Sequence, residues 1–391
     1  MIFTNGRVIL AGTMRDDLDV EIRDGKIVAL SPRRAHADAI DLRGDFLAPG
    51  FVDLHVHGAL GRDVMTADAE ALRAICEFHA RGGTTSLLLT TVTAPLPQIV
   101  SAIDAITKAR PQFPQIAGVH VEGPFLSLKK AGAQNPAFIC EPTPELLEPL
   151  LARCAIIKRI TLAPEINGAL DAIEKFARAR ISVSAGHSNA WDDEVMAAIN
   201  RGLSSTTHTF NCMSRARRRG IHRIAGLLEC ALAEPRINCE LIADGYHVSP
   251  TLMRMLYRAK GAAGISLVTD ATAGTGLSEG SSFDLGGKRC VVADGVGLLE
   301  DRSALAGSTA TMIQLVRTMV RDVGVPLVEA IAMASRNPVR QIGLTDKGEI
   351  APGKDADLVV LSPELEVRRT IVTGVVVGTV IPSEVEGSRR S

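Results

Sequence analysis

Aromatic residues are scarce. Phe, Tyr and Trp make up 3% of the 391 residues, with one Trp and two Tyr. That excludes a stacking platform for single strands or sugars and leaves Ala, Leu, Ile and Val to build the core. Net charge is also lacking. The 43 Lys and Arg residues stand against 44 Asp and Glu, a balance of -1. No global basic field exists to hold nucleic acid or an anionic membrane. The seven Cys are odd in number and none has CxxC spacing. A disulfide framework or a thiolate zinc site is excluded in favour of thiols in a reducing compartment. No apolar run approaches membrane-spanning length. The opening MIFTNGRVIL lacks the basic stretch and apolar run of a secretory signal, so the cytoplasm is the expected location. What remains is an ordinary globular mix, 46% hydrophobic and 22% charged. It suffices for one large domain and a smaller one.

The two ends of the chain read alike. Phe3-Thr4 and Arg7-Leu10 flank Asn5-Gly6, and Val20-Arg23 and Lys26-Leu30 flank Asp24-Gly25. Both dipeptides favour the positive φ angles of two-residue hairpins. Ala356-Leu361 and Thr370-Val376 are β-branched runs after Pro352-Gly353. The termini are therefore expected to build one small sheet domain together, from residues 1–50 and 349–391, with a frayed polar tail, PSEVEGSRRS.

Residues 51–348 alternate strands and helices. Eight short apolar segments qualify as buried parallel strands: Phe51-Val56, Thr84-Thr90, Ile116-Val121, Ile160-Ala163, Ile181-Ala185, Ser204-Thr207, Ile237-Ala243 and Ile265-Thr269. Helices are expected between them, at Ala67-Ala80, Pro97-Ala109 and Asp192-Arg201, the last capped by Ser188-Asn189 and closed by Gly202. Eight such repeats over roughly 300 residues predict a (β/α)₈ barrel of TIM type. A doubly wound sheet is the alternative, weakened because no GxGxxG follows a strand.

Polar residues gather at the predicted C-terminal ends of these strands, where a barrel assembles its active site. His55 and His57 end the first, Glu122 follows the third, His187 the fifth, His208 the sixth and Asp270 the eighth. In His55-Val56-His57 the two rings share one face of a strand and reach one ion. A His/carboxylate set without thiolate suits Zn²⁺, with Fe²⁺, Mn²⁺ or Co²⁺ as alternatives. Such an ion lowers the pKa of water towards about 7 and polarises a carbonyl. Asp270 then accepts the water's proton and passes it to a leaving amine. Taken singly, each residue has a structural explanation: a strand HxH, a capping Glu, loop histidines, a turn Asp. The joint pattern favours a metal. His120, two residues before Glu122, reads as packing or as support behind the ligands, and His36 and His79 read as surface residues.

The motifs match a known family. LAPGFVDLHVHG is the first-strand signature of the amidohydrolase superfamily, and VHVEGPFLSLKKAGAQNP, ITLAPE, SAGHSNA, THTFNCM, IADGYHV and VTDATAG follow in order. LAGSTATM and NPVRQIGLTDKGEIAPGKDADLVVL also fit. From Asn5 to about Val376 the chain closely resembles the N-acetylglucosamine-6-phosphate deacetylases. The resemblance implies a metal-dependent barrel with a small β-sandwich, a homodimer, and hydrolysis of N-acetylglucosamine 6-phosphate to glucosamine 6-phosphate and acetate. It implies metal ligation by Glu122, His187 and His208, an optional second-metal pair in His55 and His57, and Asp270 as catalytic acid/base. One or two ions per subunit stay open. Asn211, Cys212 through its backbone, and His247 match substrate-binding positions. Other amidohydrolases bridge two metals with a carboxylated Lys on the fourth strand; here that segment ends Ala163-Pro164-Glu165, and Glu122 takes the carboxylate role.

Two departures stand out. Where the family shows a His in KKGAHNP, thought to hydrogen-bond the substrate carbonyl, this chain has Gln134, which donates a hydrogen bond but carries no proton. Losing one oxyanion donor elsewhere costs about 10²–10³ in rate, but the metal already polarises the carbonyl. The loop after Asn211 is the second departure. The family's phosphate-binding Arg in HREPG is best matched by Arg223 in His222-Arg223-Ile224-Ala225-Gly226, behind a longer link holding Arg215, Arg217, Arg218 and Arg219. That cluster suits an anion or is a solvated surface loop. These departures keep open another N-acyl amino sugar or an N-acyl amino acid as substrate. A non-catalytic barrel is the reading from a different class, and the complete ligand set argues against it.

Overall fold

The computed structural model describes residues 1–379. Its centre is an eight-stranded parallel sheet in sequential order: β1 (Phe51–Val56), β2 (Thr84–Thr91), β3 (Ile116–Glu122), β4 (Ile157–Leu162), β5 (Ser182–Ala185), β6 (Leu203–Thr206), β7 (Asn238–Leu241) and β8 (Ile265–Leu267). A parallel bridge from Val56 to Ala271 joins the last strand to the first and closes the barrel. Asp53 secures the same seam, accepting the Thr269 hydroxyl at 2.6 Å. All eight expected strands are present, shifted by up to three residues at their ends.

Helices α1 (Ala69–Arg81), α2 (Leu96–Ala109), α3 (Pro144–Leu151), α4 (Ala169–Arg178), α5 (Asp192–Asn200), α6 (Leu227–Ala233) and α7 (Pro250–Lys260) follow β1 to β7 in turn. In α1 the buried Leu72, Ile75, Cys76, His79 and Ala80 recur at helical spacing and pack against the barrel. Asp68 caps the helix, accepting the Ala71 N–H at 2.8 Å. α5 corrects an expectation. Its cap is Trp191, whose N–H donates to Glu194 at 2.7 Å, while Ser188 and Asn189 bond to Glu165.

His79 is a second correction, because it is buried. Its Nε2 donates to the Gly58 carbonyl at 3.3 Å, and burial pushes its pKa down to about 4. A folded pKa below the unfolded value of 6.5 contributes stability that is full above pH 6.5 and lost as pH falls through 4. The difference amounts to about 3 kcal/mol. Urea unfolding of the wild type should therefore lose about that much more stability over this window than His79→Gln loses. Parallel pH profiles would show that His79 titrates normally in the fold.

Both chain ends contribute to two further sheets. Leu358–Leu361 pairs antiparallel with Phe46–Pro49 in a six-stranded sheet, and a four-stranded sheet packs Val20, Ile22 and Ile27 against it. Asp24-Gly25 makes the expected two-residue hairpin, pairing Arg23 with Lys26. Asn5-Gly6 does not. Ile2–Thr4 pairs with Leu18–Arg23, whereas Arg7–Leu10 joins the other sheet. Gly6 is needed for closeness, since a Cβ there would lie 2.5 Å from Leu42. The Thr370–Val376 run is also broken, into Val367–Val372 and Val375–Thr379, joined through Thr373-Gly374. The last twelve residues, with the polar tail PSEVEGSRRS, lie outside the described residues. Among the described residues, no helix is long and apolar enough to cross a membrane.

Candidate active site

The strand ends converge as the alternation implied. His55 lies on β1 and Glu122 ends β3, while His57, His187, His208 and Asp270 sit just past the ends of β1, β5, β6 and β8. His187, His208 and Asp270 hold left-handed backbone, with φ of 47°, 32° and 52°. Each such residue costs about 1–3 kcal/mol and is typical of sites where the surrounding structure imposes a turn. Here the turn swings each side chain from the strand end into the mouth.

Glu122 is the centre of the cluster. Its Oε1 lies 3.3 Å from His187 Nε2 and 3.1 Å from His208 Nε2. Its Oε2 lies 3.6 Å from His55 Nε2 and 3.4 Å from His57 Nε2. Asp270 Oδ1 faces the second pair, 3.4 Å from each Nε2. One carboxylate thus serves two histidine pairs, and a second carboxylate closes one of them.

The rings are aimed for ligation. A backbone carbonyl only accepts, so His57 Nδ1 donates to Thr90 at 3.1 Å and His187 Nδ1 donates to Lys130 at 2.9 Å. Both Nε2 lone pairs are therefore directed inward. Within each pair the Nε2 atoms approach to 3.0 and 3.1 Å, which calls for a proton or a cation between them. The electrostatics agree. Burial pushes His57 down, but Asp270 and Glu122 outweigh it and bring it up to about 9. Burial likewise opposes charge on Glu122 and Asp270, yet the histidines hold both carboxyls below their usual range. Two three-residue sets, His55–His57–Glu122 and Glu122–His187–His208, have all their ligand atoms within 4.8 Å of one another. These hard and borderline donors fit a divalent metal.

The cavity beside the cluster has a volume of about 170 Å³ and is lined by His57, Glu122, Gln134, His187, His208, Asn211, Cys212, His247 and Asp270, with Leu285 and Leu305 among its apolar walls. His247 is oriented by Asp244, to which its Nδ1 donates at 2.6 Å. Asn211 donates to the His208 carbonyl at 3.3 Å. Cys212 lies against Gly132, where a Cβ would come within 2.5 Å of the sulfur. Gln134 is engaged with a ligand: its amide donates to Glu122 Oε2 at 2.6 Å and accepts the Thr93 N–H at 2.9 Å.

Arg223 is not brought into this cavity. It is exposed on an antiparallel hairpin, Arg217–Arg219 with His222–Ile224, opposite Arg218. Arg217 is stacked 3.6 Å over Trp191, and Arg219 pairs with Asp193 at 3.0 Å.

Three further features escape sequence reasoning. A three-stranded sheet over Ser282–Leu285, Lys288–Ala293 and Val296–Leu299 leans over the cavity, and Lys288 donates to the Gln134 carbonyl at 3.0 Å. Its Gly286-Gly287 and Asp294-Gly295 turns are the same hairpin signal as Asp24-Gly25. Asp53, pushed up to about 7 by burial, accepts the His55 N–H from below. Arg159 and Glu240 form a fully buried ion pair at 2.8 Å.

The amidohydrolase family model matches residues 46–377. The N-acetylglucosamine-6-phosphate deacetylase of Lysinibacillus sphaericus is 35% identical over 388 residues, covering 96% of this chain and 97% of its own. The N-acetylgalactosamine-6-phosphate deacetylase of Escherichia coli O157:H7 is 34% identical, covering 92% and 94%. A mutant N-acetyl-D-glucosamine-6-phosphate deacetylase from Mycobacterium smegmatis, solved in complex with N-acetyl-D-glucosamine-6-phosphate, superposes with a TM-score of 0.91 at 32% identity over 97% of this chain and 99% of that one. The chain belongs to the amidohydrolase family, alongside the N-acetylglucosamine-6-phosphate deacetylases.

Proposed function

We propose that this chain hydrolyses the acetamide of N-acetylglucosamine 6-phosphate, giving glucosamine 6-phosphate and acetate. The observation that carries the chemistry is Glu122 between two histidine pairs with Asp270 closing one of them. The substrate rests on the full-length likeness to deacetylases of that sugar phosphate.

Glu122, His187 and His208 would hold the principal ion, and His55 and His57 a second, with Zn²⁺ the best match to the donors. A bound divalent ion acidifies water and polarises the acetamide carbonyl. The protein groups do the rest. Asp270, ionised beside His55 and His57, accepts a proton from the attacking water and returns it to the departing amine. Thr90 and Lys130 hold His57 and His187 in one tautomer, and Gln134 fixes the rotation of Glu122. His247, steadied by Asp244, and the Asn211–Cys212 turn line the space for the sugar. A homodimer in the cytoplasm completes this reading. The Arg223 hairpin lies outside its own chain's cavity, and a second copy is where its guanidinium groups would meet the phosphate.

Acetate release is the test, measured on protein supplied with Zn²⁺. Turnover of N-acetylglucosamine 6-phosphate should exceed that of unphosphorylated N-acetylglucosamine by at least about 10-fold in kcat/KM, as one charge-assisted contact of about 1.5–3 kcal/mol implies. Equal turnover of the two sugars would remove phosphate recognition. Faster turnover of N-acetylgalactosamine 6-phosphate would reassign the sugar.

A further inference from the structure

The interior of a barrel of this kind is normally filled by branched apolar side chains. Here the layer beneath the site holds a charged pair. Arg159 on β4 and Glu240 on β7 are both fully buried, with Arg159 Nε 2.8 Å from Glu240 Oε1. One guanidinium NH₂ of Arg159 also donates to the Ser184 hydroxyl at 3.0 Å. Such a pair is costly to desolvate, and apolar residues of similar volume usually serve stability as well or better. Its place inside the barrel calls for another role.

The free end of Glu240 shows that role. Its Oε2 accepts the backbone N–H of His208 at 3.2 Å and faces His55 Nδ1 at 3.6 Å. That nitrogen has no hydrogen-bond partner, and what it faces is the Glu240 carboxylate. The Nδ1 atoms of His57 and His187 are set by backbone carbonyls; that of His55 faces a carboxylate. Arg159 cannot give up its proton and keeps Glu240 ionised, so Glu240 can only accept. An ionised carboxylate facing Nδ1 favours the tautomer with the proton there, which offers the Nε2 lone pair to the cluster.

We propose that Glu240, held by Arg159, is a positioning residue that fixes the tautomer of His55 and thereby sets the affinity for a second divalent ion at His55–His57. The inference rests on the metal reading above. It concerns only the second ion, and retention of the ion at Glu122, His187 and His208 is part of the expected result, since Glu240 touches that site through the His208 backbone N–H and not through a ligand atom. Carboxylate partners behind ligating histidines typically govern metal affinity by about 10–100-fold.

Glu240→Gln tests it without changing volume. With its oxygen kept on Arg159, the new amide turns N–H₂ towards His55 Nδ1 and leaves the His208 N–H without its acceptor. That nitrogen must then accept, the ring proton moves to Nε2, and ligation is lost. Equilibrium dialysis against Zn²⁺ with elemental analysis should find two ions per wild-type chain. In the variant one ion should remain, with the second weakened about 10–100-fold. Loading with Co²⁺ should show the same loss as the disappearance of one set of visible absorption bands. Because removing one member of a buried pair can prevent folding, the double variant Arg159→Met, Glu240→Met removes both charges and should also bind a single ion. Two ions with unchanged affinity in either variant overturn the proposal. A single ion in the wild type overturns it too, while leaving the proposed activity standing. No ion in the wild type removes both.

Discussion

Replacing Asp270 by Asn should lower kcat for acetamide hydrolysis by about 10²–10⁴ while the ion content and KM stay close to wild type. Asn keeps the size of the side chain and an oxygen for the 3.4 Å approaches to His55 and His57. What it loses is the capacity to accept a proton. In the wild type that capacity is maintained against burial by the neighbouring imidazoles, which hold the carboxyl below its usual range. The left-handed turn at Asp270 also suits Asn, which tolerates that backbone better than most residues. Folding should therefore survive, and the loss should fall on kcat. Near-normal kcat in the variant would assign the proton transfer to another group.

Replacing Glu122 by Ala should reach further, abolishing ion binding at both histidine pairs. Each Glu122 oxygen serves one pair, at 3.1–3.3 Å and at 3.4–3.6 Å, and no other carboxylate stands between them. Asp270 faces only His55 and His57. An ion supplies several kcal/mol of charge stabilisation in the transition state, so turnover should drop by about 10³-fold or more. Elemental analysis separates this outcome from that of Asp270→Asn, whose ions remain. Retention of both ions in Glu122→Ala would show that the histidines suffice and would displace Glu122 from the centre of the site.

Much of this site is legible in the sequence because barrels concentrate chemistry at strand ends. Once the alternation of apolar strands and helices is read, His55, His57, Glu122, His187, His208 and Asp270 fall at corresponding positions, and the fold brings them together. What escapes depends on contacts between distant segments. His79 reads as a basic residue in the last turn of a helix, a favourable surface position, yet α1 turns that face inward. Asn5-Gly6 carries the local chemistry of a hairpin, but the flanking strands find better partners 17–39 residues away. Glu240 falls inside an expected strand and Arg159 just before one, and only three-dimensional packing shows that they stand beneath His55. Gln134 reads as a weakened substrate contact, whereas its position beside Glu122 makes it a support for a ligand. The three-stranded sheet over the cavity was within reach of the same turn rule that identified Asp24-Gly25, through Gly286-Gly287 and Asp294-Gly295.

The central claim is that this cluster performs metal-dependent deacetylation. It is tested most directly by acetate release from N-acetylglucosamine 6-phosphate before chelation, after chelation and after Zn²⁺ is restored. Turnover should vanish with the ion and return with it. Turnover that persists in fully stripped protein would contradict the claim, as would no turnover in protein shown to hold the ion.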